Sequence, residues 1–191
     1  KKNKLMEWDT FVRAIEQMKA FEEPVKQISL SGHGEPLCNR RIPDMVRYIK
    51  KNGVADRVSL HTNASLLDEM YVSELVDSEI DRVVVSLQGM TSEKYEQVCG
   101  IAVDVDRLYE MLSLFYEKKR NTKLHIKIAD AALESGEEKA FYERFLPIAD
   151  RAFVERIVPI WKDTEYSRQQ IQSMTQNKYG SIFPKQRCCP V

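Results

Sequence analysis

The segment Ser31-Gly32-His33-Gly34-Glu35-Pro36-Leu37 has the makings of a ligand loop. Two glycines let a ligand approach the backbone closely, and the amides and carbonyls around them can pair with it. Glu35 adds a fixed carboxylate, which suits a cationic group such as an α-ammonium. No third glycine and no Gly-Lys-Ser/Thr follows, and a carboxylate repels phosphate, so the segment is not a phosphate loop. The same residues also suit an ordinary strand-to-loop turn in which Gly and Pro relieve backbone strain. Both readings stand on this segment alone. Thr62-Asn63-Ala64 and Ser86-Leu87-Gln88-Gly89 supply further small polar groups.

The remaining reactive side chains are sparse. His33, His61 and His125 have no metal-binding spacing among themselves. His33 sits in the loop and is placed to face a ligand; His61 and His125 read as hydrogen-bonded strand residues. Cys38 and Cys99 read as small packing residues of a reducing compartment. Cys188 and Cys189 are adjacent, directly before Pro190.

The elements that must position these groups alternate. Trp8, Phe11, Val12, Ile15 and Met18 recur at helical spacing, with Pro24 as the stop. Val25 to Ser31 is extended. Ile42, Met45, Val46 and Ile49 mark a second helix, with Pro43 in its first turn and Asn52-Gly53 closing it. Strand 57–63, helix 66–76, strand 81–88, a helix carrying Val105, Leu108, Leu112 and Phe115, strand 123–129, helix 137–145 and strand 153–160 complete the series. Residues 1–161 form the folded unit on this reading, and 162–191, polar and aperiodic, form a linker.

Strict βα alternation implies a parallel sheet with right-handed crossovers. A doubly wound sheet is covered on both faces and its strands are apolar throughout. Here they alternate. Val58 and Leu60 oppose Ser59, His61 and Asn63; Val83, Val85 and Leu87 oppose Ser86 and Gln88; Leu124, Ile126 and Ile128 oppose His125 and Lys127. Parallel sheets rarely leave a face bare, so the polar face predicts the lumen of a wide or incomplete barrel holding solvent and a ligand. In a parallel fold all the loops that follow strands lie at one edge, the edge where such folds bind ligands.

With these segments in order, "ISLSGHGEPL", then "VSLHTNASLL", then "VVVSLQG" and "SEKYEQVCG", the sequence resembles the radical S-adenosylmethionine (radical SAM) superfamily over about residues 5–161. The resemblance implies a partial (β/α)6 TIM-like barrel, lacking its first strand and cluster loop. Gly32, His33, Gly34, Glu35 and Pro36 match the family's Gly-Gly-Glu segment, which holds the methionyl ammonium of S-adenosylmethionine. Thr62-Asn63 resembles its Thr-Asn-Gly, with Ala64 in place of Gly, and Ser86 matches a serine that contacts the methionyl carboxylate. Gln88 lies at the same edge. An arginine that the family often carries is replaced near Gln97-Val98-Cys99, so Lys127 becomes the candidate cation for that carboxylate. The backbone at Val158 would flank the adenine.

The family's Cys-x3-Cys-x2-Cys motif, which holds a [4Fe-4S] cluster, is not found among the four cysteines. The expected place for it is upstream of Lys1, and both ends of the sequence look cut from a longer protein. No catalytic residue is assigned within these 191 residues. By resemblance, the parent reductively cleaves S-adenosylmethionine and abstracts hydrogen from a peptide or small-molecule substrate, fed by an electron-donor protein. Cys188 and Cys189 match, as metal ligands, the auxiliary cluster site of SPASM or twitch extensions. The alternative is a non-catalytic barrel that binds a peptide or nucleotide. A hydrolase or isomerase using His61 or Lys127 as base lacks a paired carboxylate or a nucleophile–base spacing.

Composition bounds the rest. The 191 residues carry 29 Lys+Arg against 29 Asp+Glu, with 43% hydrophobic residues. Zero net charge gives no general pull toward nucleic acid or an anionic membrane. No apolar run approaches the ~20 residues of a membrane-spanning helix, and the expectation is a cytoplasmic protein.

Overall fold

A computed structural model describes residues 5–32 and 34–156. Five strands, β1 Ile28–Leu30, β2 Val58–Thr62, β3 Arg82–Leu87, β4 Lys123–Ala129 and β5 Arg151–Glu155, form one parallel sheet in chain order. A doubly wound sheet would reverse direction partway along. Unbroken sequential order is the wall of a barrel, as the strand patterning predicts.

The helices are α1 Trp8–Met18, α2 Ile42–Asn52, α3 Glu69–Asp77, α4 Ser92–Cys99, α5 Val105–Lys118 and α6 Glu137–Phe145. Their boundaries follow from capping. Asp68 accepts the Tyr71 amide at 2.7 Å and starts α3, which is why the helix does not begin at Leu66 as the apolar spacing suggests. α1 ends at Met18, ahead of Pro24, because the Lys19 and Ala20 amides turn back onto the Glu16 and Gln17 carbonyls. Gly53, at φ +63°, closes α2 in the left-handed conformation. α4 was not expected. Tyr95 is its one buried residue, so no apolar period marks it, and its signal is the Thr91 side chain capping the Lys94 amide at 3.2 Å.

Strand register separates two faces. Leu30, Leu60, Val83 and Leu124 lie in one row, and Thr62, Val85, Ile126 and Ala152 in the next. Leu60, Val85, Leu124, Ile126 and Ile128 are fully buried in a single core with the apolar sides of the helices. The opposite face stacks Ser29, Ser59, Arg82 and Lys123, then His61, Val84, His125 and Arg151, then Ser86, Lys127 and Phe153. The division of polar from apolar residues is the one the sequence predicts. Val84, buried yet outside the common core, and Phe153, half-buried, are the apolar exceptions on this face. The expected strand 153–160 begins two residues earlier, at Arg151; its end and the linker 162–191 lie outside the described residues.

At the end of β3, Gly89 lets α4 approach. A Cβ there would lie 2.7 Å from the Lys94 Cβ and 3.2 Å from the Tyr95 amide nitrogen. Gly89→Ala is therefore expected to destabilise the fold by about 1–3 kcal/mol, the usual penalty of overpacking, in urea unfolding. Gly32→Ala is the control, since a Cβ there meets nothing within 4 Å, and a Gly89→Ala midpoint equal to it would refute the close-approach argument.

Candidate functional site

All five strands point the same way, so β1, β2 and β3 deliver Ser31–Gly32, Asn63–Ala64 and Gln88–Gly89 to one edge. After β1 the chain passes Gly34 at φ +132°, a conformation that only glycine adopts readily. Glu35 then turns back on its own loop and on β2. Its Oε1 accepts the Leu37 amide at 2.9 Å and the Thr62 hydroxyl at 2.5 Å, and its Oε2 accepts the Asn63 amide at 2.7 Å. The loop is thus tied to the neighbouring strand tip by a single carboxylate. A carboxylate has about four lone-pair directions, so one direction, on Oε2, is left for a further donor.

The β2 tip is organised around the same group. Thr62 belongs to the helix-side row of its strand and is buried. Besides donating to Glu35, its Oγ1 accepts the Ala64 amide at 2.8 Å. Thr62 is therefore a positioning residue, holding Glu35, rather than a side chain turned toward the polar face. Ala64 sits at φ +60°, in the left-handed region, which is why glycine suits that position. Asn63 Oδ1 accepts from the Ser65 amide at 2.9 Å and hydroxyl at 2.8 Å. Beside Glu35 lies a cleft of about 390 Å³, lined by Met6, Ser31, Gly32, Gly34 and Cys38 among others, a volume in the range of small-molecule sites.

Ser86 and Lys127 are register partners on the polar face, and Gln88 follows at the edge, half-buried. Lys127 does not stand free for a ligand carboxylate. Glu155 of β5 pairs with it at 2.6 Å, and that partner was not anticipated because β5 was expected to be centred further along the chain. Cys38 and Cys99 are exposed thiols, not packing residues; Cys38 is the last residue of the short 3-10 turn Pro36–Cys38 and lines the cleft. His33, Val158, Cys188 and Cys189 lie outside the described residues. Among the described residues no group of three or more His, Cys, Asp or Glu could hold a metal ion.

Sequence reasoning passed over Arg82 and Arg151, each the first residue of its strand and so easily taken for a solvated end. Both lie on the polar face. Burial, then the charges of Lys127 and Arg82, holds the His61 pKa below its usual range; burial, then Arg82 and Arg151, does so for His125. Both imidazoles are therefore neutral at pH 7.

At the opposite end of the sheet, burial pushes the Asp150 carboxyl up. The Leu124 amide and the ammonium groups of Lys119 and Lys123 outweigh it and hold the pKa below the usual range. The two depressions have the same sign. The unfolded chain protonates first in both, so stability is full above the unfolded histidine pKa of about 6.5 and falls as pH drops through it toward the folded values. A second loss begins below about pH 3.9, where the unfolded aspartate takes its proton. Urea unfolding across pH 3–8 should show both steps, with Asp150→Asn reducing the lower one, which Asp68, held down by the Tyr71 amide, shares. A flat profile between pH 7.5 and 5 would contradict the histidine assignment.

The radical SAM superfamily profile matches residues 1–128. Over 82 residues the chain is 39% identical to the probable GTP 3',8-cyclase of Metallosphaera sedula, a match covering 43% of this chain and 25% of the cyclase. Over 160 residues it is 27% identical to the tungsten-containing aldehyde ferredoxin oxidoreductase cofactor-modifying protein of Pyrococcus furiosus, covering 75% of this chain and 44% of that protein. The chain thus spans between a quarter and under half the length of these curated relatives. In fold it is similar to native anSMEcpe with bound AdoMet, at TM-score 0.68 and 14% identity over 93% of this chain and 51% of the other. It is likewise similar to Streptococcus suis SuiB bound to S-adenosylmethionine, at TM-score 0.67 and 18% identity over 93% of this chain and 42% of that one. Among the described residues no helix is long and apolar enough to cross a membrane.

Proposed function

Because the chain belongs to the radical SAM superfamily, we propose that it is the S-adenosylmethionine-binding part of a radical SAM enzyme. The observation that carries this reading is Glu35, clamped between the β1 loop and the β2 tip with one carboxylate direction unused. In this reading that direction takes the methionyl ammonium. Gly34 leaves open space where a Cβ would stand, so the cofactor can lie against the backbone. Ser86 offers a hydroxyl to the methionyl carboxylate, with Asn63 and Gln88 at the same edge. These groups fit the cofactor in charge and in hydrogen-bonding sense.

Bound S-adenosylmethionine would supply the radical that starts hydrogen abstraction from the substrate. The chain's own residues hold and orient the cofactor at the mouth of the polar face, and the helix-covered core behind them keeps those positions fixed. The described residues do not fit an iron–sulfur cluster, and Cys38, Cys99, Cys188 and Cys189 lack the Cys-x3-Cys-x2-Cys spacing. In this reading the [4Fe-4S] cluster is held by cysteines outside the sequence, and an electron-donor protein reduces it. The likeness to the cyclase covers a quarter of that protein, and no GTP substrate is carried over from it.

The test is anaerobic reconstitution of the intact protein, followed by iron and sulfide analysis and by calorimetric titration with S-adenosylmethionine. About four iron atoms per chain are expected for one [4Fe-4S] cluster, with more if Cys188 or Cys189 serves an auxiliary one, together with saturable cofactor binding. An iron-free protein would leave a non-catalytic binding module. Absence of S-adenosylmethionine binding would overturn the reading altogether.

A further inference from the structure

The polar face carries positive charge that the described residues do not neutralise. Lys127 is answered by Glu155 and Lys123 by Asp150. Arg82 and Arg151 have no carboxylate partner within ion-pair distance among the described residues, and the Arg82 Nε is buried without a hydrogen bond. Burying part of a guanidinium with an unmet donor is unfavourable unless something else pairs with it.

The register gives that something a shape. His61 and His125 flank Val84 in one row, and Arg82 stands two residues below Val84 on the same face. Neighbouring strands are about 4.8 Å apart, so the two imidazoles rise on either side of a gap roughly 10 Å wide. Val84 floors that gap with a short apolar side chain, Arg82 closes one end, and Arg151 lies beyond His125 in the row. Neutral imidazoles donate one N–H each, and guanidinium groups donate in a fork that matches oxyanions. A cation or an apolar group would leave the buried Arg82 Nε unmet; a phosphate or carboxylate would satisfy it. Arg151, its guanidinium over the Phe153 ring at 4.7 Å, adds a second positive charge.

We propose that this face contains an oxyanion subsite formed by Arg82, His61, His125 and Arg151, which takes the phosphate or carboxylate group of the substrate. The claim that the bound anion is a substrate rests on the radical SAM reading; the binding of the anion does not. Anion binding also couples to protonation. The charged groups facing His61 are Lys127, Arg82 and Glu155, and those facing His125 are Arg82, Arg151, Asp150 and Lys123. A bound oxyanion offsets the cations that disfavour the imidazolium forms, so it raises both histidine pKa values. A dicarboxylate, which keeps most of its charge over this range, therefore binds more tightly at pH 6 than at pH 8.

The experiment is an NMR titration of the imidazole signals of the intact protein, without S-adenosylmethionine, using inorganic phosphate and malonate separately against chloride at matched ionic strength. Saturable shifts of His61 and His125 with either anion are expected, those with malonate tighter at the lower pH. Phosphate alone would specify a phosphate-bearing substrate and malonate alone a carboxylate-bearing one. Arg82→Met should weaken binding about tenfold or more. Arg151→Gln, on an exposed side chain, should weaken it measurably and serves if the first variant fails to fold. Shifts no greater than with chloride, or affinities unchanged in a folded variant, would overturn the subsite. S-adenosylmethionine titrated separately distinguishes the two readings: anion binding without cofactor binding removes the radical reading alone, and the reverse removes the subsite alone.

Discussion

Glu35→Gln is expected to weaken S-adenosylmethionine binding by about ten- to a hundred-fold, because a hydrogen bond to a charged group is worth ~1.5–3 kcal/mol. The same change must also loosen the loop. Leu37 and Asn63 present backbone N–H groups to opposite oxygens of the carboxylate, and Thr62 donates beside Leu37. Glutamine has one oxygen and one NH2, so either orientation sets an amide N–H against another donor. Leaving such a group unmet destabilises by about 1–3 kcal/mol. Glu35 thus joins two functions, and its removal does not leave the fold untouched. Thr62→Val separates them: it loosens the loop while keeping the carboxylate, so it should lower stability with a smaller loss of affinity. Calorimetry on cluster-reconstituted protein, beside urea unfolding of both variants, is the measurement. Glu35→Gln with wild-type affinity would rule out the ammonium role, and equal affinity losses in both variants would assign the effect to loop position.

The largest stability effect is expected at Phe141. α6 is short, and its buried residues are Phe141 and Phe145, whose rings pack 5.6 Å apart. Tyr142 follows, its ring 5.2 Å from Phe141 and its hydroxyl accepting the Val154 amide of β5 at 3.3 Å. Phe141→Ala should therefore destabilise by about 3–5 kcal/mol, a large part of the 5–15 kcal/mol typical of a folded domain. Because α6 covers β5, the loss should concentrate there. Hydrogen exchange of the Val154 amide is expected to accelerate more than that of Leu60, which is fully buried in β2. Uniform acceleration along the sheet, or a loss below 1 kcal/mol, would show that α6 does not anchor this edge.

Much of this architecture was legible along the chain, for a local reason. The faces of β2, β3 and β4 follow from a period of two, and the end of α2 follows from Gly53, since side-chain direction and capping are set within a few residues. The start of α3 is misplaced at Leu66 when apolar spacing is read ahead of the Asp68 cap. The ligand edge was legible too, because a parallel sheet must deliver every strand tip to one side, and Gly32, Gly34 and Glu35 lie at such a tip. α4 escaped because a helix with one buried residue carries no apolar period, and the exposure of Cys38 and Cys99 escaped because small residues carry no burial signal of their own.

Pairings between distant segments were decided only in three dimensions. That Glu35 is held by Thr62 and Asn63, that Lys127 is answered by Glu155, and that Val84 stands between His61 and His125 with Arg82 two residues below it all depend on strand register. Register is set by the packing of the whole apolar face against its helices, through Leu60, Val85 and Ile126 together. A residue type states which charge or hydrogen bond a side chain offers. Whether that offer is already taken depends on which side chain stands one strand away, about 4.8 Å across the sheet and tens of residues along the chain.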